Sequence, residues 1–271
     1  MPELPEVETT RRSLLAMTGQ RVHGVIVRQS SLRQPVPDEL PALLKDSILQ
    51  QIRRRAKYLL LDFDAGCLIV HLGMSGSLRR VEAGTPLRIH DHVDLQFAPG
   101  EPLLRYHDPR RFGLILWGGQ TPLTHPLLSR LGLEPLEDAF TGAWLHQASR
   151  ERKTPIKVFL MDPSQVVGIG NIYASEALFR AGIAPQRPAG SLSRAACLRL
   201  RDAVRTTLQE ALDSGGSTLR DYVDGSGASG WFQLELRVYG RADAPCLTCG
   251  TPIRQQRQAQ RSTFWCPRCQ R

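Results

Sequence analysis

The sequence predicts an α+β protein, in which an antiparallel β-sandwich with flanking helices is followed by a helical region and a cysteine-rich module. Three observations lead to this prediction. Residues 21–118 contain short apolar segments separated by tight-turn sequences, which is typical of antiparallel strands. Beyond residue 118 the apolar residues recur at helical spacing. Four of the six cysteines lie between residues 246 and 269.

The composition narrows the class of partner. The 271 residues include 35 Lys and Arg against 26 Asp and Glu, a formal net charge of +9. So basic a chain favours a polyanionic partner, nucleic acid before a membrane surface. No apolar segment approaches the ~18 residues of a membrane span and no signal peptide is recognisable, so we expect a cytoplasmic protein. Cys67 and Cys197 stand alone in apolar surroundings and are expected to be buried free thiols in a reducing compartment.

The first predicted element is a helix that begins near Pro5, because the missing N–H of proline costs nothing in the first turn. Gly19 follows it as a C-terminal stop signal. The residues that recur at helical spacing are Val7, Thr10, Leu14 and Met17.

The residues before this helix suggest covalent catalysis. A small second residue usually permits removal of the initiator Met1, which would leave Pro2 with a free secondary amine. Such an amine can attack a sugar aldehyde carbon and form an iminium, as lysine Schiff bases do. The positive end of the helix dipole disfavours the protonated amine, and Glu3 and Glu6 lie within reach to move protons. The alternative is that Met-Pro is only a common start and carries no function.

Eight strands are predicted after this helix. Turn sequences at residues 64–66, 83–86 and 98–100 separate several of them. The predicted strands are residues 22–28, 48–54, 58–62, 67–72, 77–81, 92–97, 103–107 and 114–117.

Helices dominate the rest of the chain. The proline-containing residues 120–137 are predicted to be a hinge, and the glycine-rich residues 214–230 a mobile surface loop. The predicted helices are residues 126–131, 142–150, 156–161, 171–181 and 194–214.

The C-terminal module carries the most specific single motif. Cys246, Cys249, Cys266 and Cys269 have the spacing of a zinc ribbon. Four thiolates close the coordination sphere, so the Zn²⁺ would be structural. Two disulfides are the alternative, which a reducing compartment disfavours. Residues 237–271 hold seven arginines against one aspartate, which favours a finger that contacts phosphates over a solvated basic tail.

Two further motifs have alternative interpretations. Gly168 and Gly170 precede a predicted helix, where Asn171 could be the N-cap and a phosphate could approach the backbone, although such a pair is also common in tight turns. Arg152 and Lys157 add positive charge just upstream. In residues 108–113, an aromatic side chain beside two arginines could wedge into a duplex or belong to the core.

Four other residues are also ambiguous. Met74, in the turn of residues 73–76, could be a second wedge or plain packing. Lys57 ends a basic run; strand alternation would place it on one face with Arg55, as a phosphate contact, a proton carrier or surface. His90 and His92 could share a strand face, but the histidines form no convincing metal site.

These motifs occur together in one order. They are MPELPEVET (1–9), RRAKY (54–58), HLGMSG (71–76), DPRRFG (108–113), VGIGNIY (167–173) and the four cysteines. With them the chain resembles, over essentially its whole length, the bacterial formamidopyrimidine-DNA glycosylases. These are bifunctional enzymes that remove 8-oxoguanine and ring-opened purines from DNA.

The resemblance implies a role for each catalytic candidate. Pro2 would be the nucleophile that attacks C1′ of the deoxyribose. Glu3 would donate a proton during opening of the sugar ring, and Glu6 would be a supporting carboxylate. Lys57 would be the proton donor for β-elimination. Arg261 on the finger would serve δ-elimination and bind phosphate.

The resemblance also implies the DNA contacts. Residues 217–222 would belong to a loop that covers the flipped base. Three residues would fill and wedge the gap in the duplex: Met74, Arg110 and Phe112. Five residues would hold the DNA backbone: His90, Arg110, Arg152, Lys157 and Asn171.

The implied architecture is a catalytic β-sandwich domain (1–119), a hinge (120–137), a helix-two-turns-helix domain (138–236) and a zinc finger (237–271). The implied protein is a monomeric base excision repair enzyme, in the bacterial cytoplasm with the nucleoid. Its partner would be duplex DNA with oxidised purines or abasic sites, and its cofactor one structural Zn²⁺.

Two alternatives remain at this point. A related branch uses the same amine chemistry on oxidised pyrimidines, but Leu4 and residues 108–113 favour the purine branch. A zinc-dependent DNA-binding protein without activity is the second alternative. The joint presence of Pro2, Glu3, Glu6 and Lys57 argues against it.

Overall fold

A computed structural model describes residues 2–215 and 236–271. The described residues divide into two compact units, one ending at Ser129 and the other beginning at Arg130 and including the C-terminal residues. The predicted lesion-covering loop, residues 217–222, lies outside the described residues. In the described part of the chain, no helix is both long and apolar enough to cross a lipid bilayer.

The first unit contains all eight predicted strands, and each boundary lies within two residues of the prediction. The strands form two four-stranded antiparallel sheets, with the orders β1-β6-β7-β5 and β2-β3-β4-β8. The strands are β1 Gly24–Val27, β2 Leu49–Arg55, β3 Tyr58–Phe63, β4 Gly66–His71, β5 Ser77–Val81, β6 Asp91–Gln96, β7 Leu103–His107 and β8 Leu114–Gly119.

The two sheets share one core, which confirms the β-sandwich. Leu59 and Leu61 of β3 belong to the same buried cluster as Leu104 and Tyr106 of β7. Each such side chain contributes roughly 1.5–3 kcal/mol by leaving water. Helix α1 (Leu4–Ser13) packs Val7 into this cluster, so the start of the chain is fixed to the sandwich.

Strands β2 and β3 form a hairpin in which Arg55 is paired with Tyr58. Ala56 and Lys57 are therefore the turn, and Ala56 has a left-handed backbone with φ 54°. The prediction that strand alternation places Lys57 on one face with Arg55 was wrong, because Lys57 does not lie in a strand.

Helices form most of the second unit. They are α3 Gly142–Ser149, α4 Ile156–Leu160, α5 Asn171–Ala181 and α6 Arg194–Asp213, which confirms four of the five predicted helices of this half. The helix predicted at residues 126–131 was wrong. His125 there accepts the N–H groups of Leu128 and Ser129, which makes a single turn. The short helix α2 (Leu40–Leu44) in the first unit was missed, because five residues show no helical period.

The C-terminal module is a hairpin of β9 (Arg254–Gln258) and β10 (Arg261–Trp265), which lies beside α5. Its own buried apolar cluster is small and centres on Val238, Ile253 and Phe264. So small a core requires an additional cross-link to stay folded.

Candidate active site and nucleic-acid interface

The N-terminus of α1 brings three predicted residues together. Pro2 is buried, and Glu3 and Glu6 are only 2% and 3% exposed. Glu3 is the N-cap, and the two residues form a reciprocal capping box. Glu6 accepts the Glu3 N–H at 2.8 Å, and the Glu3 carboxylate accepts the Glu6 N–H. Two carboxylates are thus fixed beside Pro2, at the positive end of a helix dipole.

The turn that carries Lys57 adjoins a histidine that the sequence did not single out. The ring of His71 lies 4.9 Å from that of Tyr58, the residue after Lys57. Nδ1 of His71 accepts the N–H of Gly73 at 3.0 Å, which requires that nitrogen to be unprotonated. Burial, with the cations of Lys57 and Arg33, lowers the pKa of His71 to about 4. His71 is therefore a neutral group near Lys57 at physiological pH.

His71 should make stability depend on pH. Its pKa is about 4 in the folded protein against an ordinary value of 6.5, so the unfolded chain binds the proton more tightly. Stability should fall as the pH drops from about 6.5 to about 4, and His71→Gln should reduce that fall. Urea unfolding at several pH values measures the free energy of unfolding and hence this fall. The same change at the exposed His23 is the control, and an unaltered profile for His71→Gln would contradict the assignment.

Two turns of the first unit are locked against each other. Gly73 has φ 63°, and a Cβ on it would lie 2.5 Å from the backbone nitrogen of Gly113. A Cβ on Gly113 would lie 1.7 Å from the Tyr106 hydroxyl oxygen. Asp108 is fully buried and accepts the N–H of Gly113 at 2.8 Å. Neither glycine can be replaced without moving backbone or a buried ring.

These locked turns present two apolar side chains to solvent. Met74 is 39% exposed and Phe112 is 46% exposed, so Phe112 is not a core residue. The guanidinium carbon of Arg110 lies 4.9 Å from the centre of the Phe112 ring, a cation–π contact. Apolar side chains that are exposed on rigid turns, next to a cation, are suited to insertion between stacked nucleobases.

His90 lies at the entrance to β6, half-buried. Its ring centre is 6.2 Å from that of His92 and 6.0 Å from that of His107. His92 is buried, and its Nε2 lies 2.8 Å from the Asp108 carbonyl oxygen. Nδ1 of His107 lies 2.9 Å from a carboxylate oxygen of Asp91. The neighbours of His90 are thus engaged in structural contacts.

In the second unit, Lys157 and Asn171 meet at the hairpin. Lys157 is 1% exposed, and its ammonium donates to Asn171 Oδ1 at 2.6 Å, Thr263 Oγ1 at 2.8 Å and the Ser262 carbonyl at 3.0 Å. Asn171 Nδ2 also donates to that carbonyl at 2.9 Å. Lys157 therefore ties α4 and α5 to β10, and its three N–H groups all point to protein acceptors.

Arg152 and Arg261 lie at one cavity of this unit. The cavity has a volume of about 330 Å³, and Lys157 also lines it. Asp162 is the single acidic residue in the lining. Both arginines are exposed. A concave surface with three cations against one carboxylate attracts phosphate groups.

The four cysteines fit a zinc ion. Their sulfur atoms all lie within 4.8 Å of one another. The Sγ atoms of Cys246 and Cys269 are 3.9 Å apart, and those of Cys249 and Cys266 are 3.5 Å apart. A tetrahedral site with Zn–S bonds of about 2.3 Å has edges of about 3.8 Å. Disulfides are excluded, because the sulfur atoms would have to be about 2.05 Å apart.

Glu176 of α5 holds the start of the C-terminal module and was missed by the sequence reasoning. Its carboxylate accepts the backbone N–H groups of Arg237, Val238 and Tyr239 at 2.8, 3.0 and 2.8 Å. Gln270 adds a second tie, because its side-chain amide donates to the Ile183 carbonyl at 2.9 Å. No local signal marks these ties, since the groups that they join are at least 61 positions apart.

Comparison with known families divides the chain into three matching parts. Residues 1–115 match the formamidopyrimidine-DNA glycosylase N-terminal domain. Residues 131–223 match the H2TH domain of the same glycosylases. Residues 244–271 match a zinc finger found in FPG and IleRS. Together these matches cover most of the chain.

Similar individual proteins span the chain from end to end. The formamidopyrimidine-DNA glycosylases of Methylococcus capsulatus and Pseudomonas aeruginosa are 56% and 55% identical, over 100% of both chains. The crystal structure of MutM (FPG) from Thermus thermophilus is 39% identical, with a TM-score of 0.86 and 99% and 98% of the two chains covered.

Similar structures also include complexes with DNA. Lactococcus lactis FPG bound to a Fapy-dG containing DNA is 33% identical with a TM-score of 0.89, covering 99% of this chain and 100% of that one. Its complex with an abasic site containing DNA gives the same identity and TM-score, with 99% of both chains covered.

Proposed function

The chain belongs to the formamidopyrimidine-DNA glycosylase family, and from this premise we propose how its residues excise a damaged base. The protein is a DNA glycosylase for oxidised purines in base excision repair. Its partner is double-stranded DNA that contains such a lesion or an abasic site. The observation that carries the mechanism is the buried capping box beside Pro2.

Base release begins at Pro2, once Met1 has been removed. The lesion leaves the stack, because the amine cannot reach C1′ inside a duplex. The lone pair of the Pro2 nitrogen forms a bond to C1′ as the bond from C1′ to the base breaks, and the proton that the amine nitrogen gives up leaves with the base. Glu3 donates a proton to the sugar ring oxygen as the ring opens, and Glu6 holds Glu3 in place. The product is an iminium that joins Pro2 to C1′.

Two eliminations follow, because the iminium withdraws electrons from the sugar. Water takes the C2′ proton, the electron pair of that C–H bond breaks the bond between C3′ and the 3′ phosphate, and Lys57 donates a proton to the departing phosphate. Loss of the C4′ proton then breaks the bond to the 5′ phosphate, and Arg261 stabilises that phosphate as it departs. Water hydrolyses the remaining iminium, which releases the sugar fragment as an aldehyde and restores the Pro2 amine. The protein is thus a lyase as well as a glycosylase.

Two sets of residues hold the substrate. Met74, Arg110 and Phe112 fill the gap that the flipped nucleotide leaves, which offsets an unstacking cost of a few kcal/mol. His90, Arg110, Arg152 and Asn171 contact the backbone. Lys157 contributes through Asn171 and β10, to which its ammonium is bonded.

Two further proposals concern the whole molecule. The protein acts as a monomer, and the four cysteines hold one structural Zn²⁺. Because its substrate is chromosomal DNA, we place it in the bacterial cytoplasm, associated with the nucleoid.

Borohydride trapping tests the amine. A reductant added during reaction with an 8-oxoguanine duplex should convert the iminium into a stable protein–DNA adduct. Mass spectrometry of a digest should place the sugar on the N-terminal peptide that begins at Pro2. A duplex with thymine glycol is the comparison substrate, and preferential trapping there would favour the pyrimidine branch. Absence of any adduct with either duplex would refute covalent catalysis.

Lys57→Gln separates the two chemical stages. Base release should persist, whereas strand cleavage should fall roughly 10²-fold, the usual contribution of a positioned proton-transfer group. Gel assays of the same reaction, with and without alkali, measure the two stages. Arg55→Gln removes a neighbouring cation of the same hairpin and is the control. An equal loss of both stages in Lys57→Gln would contradict the assigned role.

A further inference from the structure

Glu8 of α1 is the centre of a group of arginines that the proposed mechanism does not use. Its carboxylate accepts from Arg11 at 2.8 and 2.9 Å and from Arg12 at 3.0 Å. The Nε atom of Arg54 on β2 lies 3.4 Å from the same carboxylate. One acidic side chain thus faces three guanidinium groups.

Two of these arginines connect α1 to the β2–β3 hairpin. Arg11 donates to the Ile52 carbonyl at 3.2 Å. Arg54 donates to the Ala56 carbonyl at 2.9 Å, and this oxygen is part of the peptide bond that leads to Lys57. Ala56 holds a left-handed backbone that costs about 1 kcal/mol or more in a residue with a Cβ. The hydrogen bond from Arg54 therefore stabilises a turn whose backbone conformation is intrinsically unfavourable.

The group is largely shielded from solvent, so its charges interact strongly. The side chains of Glu8 and Arg54 are 13% and 14% exposed, whereas that of Arg12 is 51% exposed. Burial opposes ionisation of Glu8, but the hydrogen bonds and charges of Arg11, Arg12 and Arg54 outweigh it and lower the pKa of the carboxyl. Without the carboxylate, Arg11 and Arg54 would lose the anion that faces both of them.

We infer that Glu8 is a positioning residue for strand cleavage, which acts through Arg54 to hold the Lys57 turn in register with the helix that carries Pro2 and Glu3. This inference rests on the roles proposed above for Pro2 and Lys57. Apolar residues would join α1 to β2 with at least equal stability, since half-buried ion pairs contribute little net free energy. A directional hydrogen bond from Arg54 to the carbonyl of the peptide bond before Lys57 is, in contrast, suited to orienting Lys57.

Base release depends on Pro2 and Glu3. Glu3 is the N-cap of α1 and is held by its capping box with Glu6, and Pro2 directly precedes it in the chain. Strand cleavage requires in addition that Lys57 keeps its place relative to α1. Disruption of the Glu8 group should therefore impair the second stage more than the first. A displacement of about 1 Å in a reacting group can reduce a rate by about 10²-fold.

Glu8→Gln tests this inference in the full-length, zinc-loaded protein. In single-turnover reactions on an 8-oxoguanine duplex, we expect strand cleavage to fall at least about tenfold while base release changes less than about threefold. Arg54→Ala should act in the same way, and the double variant should be no worse than either single one. Arg12→Ala, which removes an exposed partner of Glu8 on the same helix, is the matched control and should leave both stages unchanged.

Other outcomes would overturn the inference. Equal loss of both stages, with a lowered melting temperature, would mean that Glu8 only stabilises the fold. Unchanged cleavage would mean that the Lys57 turn does not depend on Glu8. If Glu8→Gln does not fold, the charge-preserving Arg54→Lys is measured instead. If the ratio of strand cleavage to base release in Arg54→Lys equals that of the unaltered protein, the Lys57 turn does not depend on the Glu8 group. Failure of the unaltered protein to form a borohydride adduct would instead remove the proposed mechanism itself.

Discussion

A chain that retains Met1 is expected to release 8-oxoguanine at least roughly 10³-fold more slowly than the chain that begins at Pro2, as when an enzyme loses its nucleophile. An amide nitrogen has no available lone pair, so no bond to C1′ can form. Glu3 and Glu6 keep their capping box, because its bonds lie within residues 3–6. Intact mass spectrometry identifies the two forms, and single-turnover assays measure base release.

The two forms can be compared within one preparation. Expression without methionine aminopeptidase gives the retained form, and treatment with that enzyme should restore activity in proportion to the mass of Met1 lost. Affinity for a duplex with a stable abasic analogue should be similar, because the arginine and lysine contacts are untouched. Equal base release by both forms would show that the nucleophile is elsewhere.

The sandwich was predictable because its signals are local. The strands are short apolar segments, and glycine or proline marks the turns between several of them. The capping box was equally accessible, since Glu3 and Glu6 are three positions apart and directly precede an apolar helical period. Local periodicity failed at residues 126–131, where one hydrogen-bonded turn satisfies the backbone without a helix.

The orientation of the candidate wedges was not predictable, because distant contacts decide it. Phe112 is exposed since the next residue, Gly113, is pressed against the hydroxyl of Tyr106 and the bond network of Asp108. The burial of Lys157 likewise depends on Thr263, which is 106 positions away. A sequence shows that a lysine is present, but only the fold shows which acceptors surround its ammonium.

Removal of zinc should unfold the C-terminal hairpin and weaken DNA binding by at least about 100-fold at moderate salt. The hairpin has only a small apolar cluster of its own. Structural zinc contributes an apparent ~10–16 kcal/mol to the folding of such modules. Loss of β10 would displace Arg261 and remove the acceptors Ser262 and Thr263 from the buried ammonium of Lys157. The damage should therefore extend to α4 and α5.

The first unit should remain folded without zinc, because its buried cluster contains no residue of the C-terminal module. Chelator titration followed by anisotropy of a labelled 8-oxoguanine duplex measures the affinity, and its salt dependence should become shallower as phosphate contacts are lost. Added zinc should restore binding, and Cys249→Ser should reproduce the metal-free state. Cys67→Ala removes a thiol outside the cluster and is the control. If metal-free protein binds the duplex with undiminished affinity, the finger does not contact DNA. The proposed role of Arg261 in strand cleavage would then be wrong.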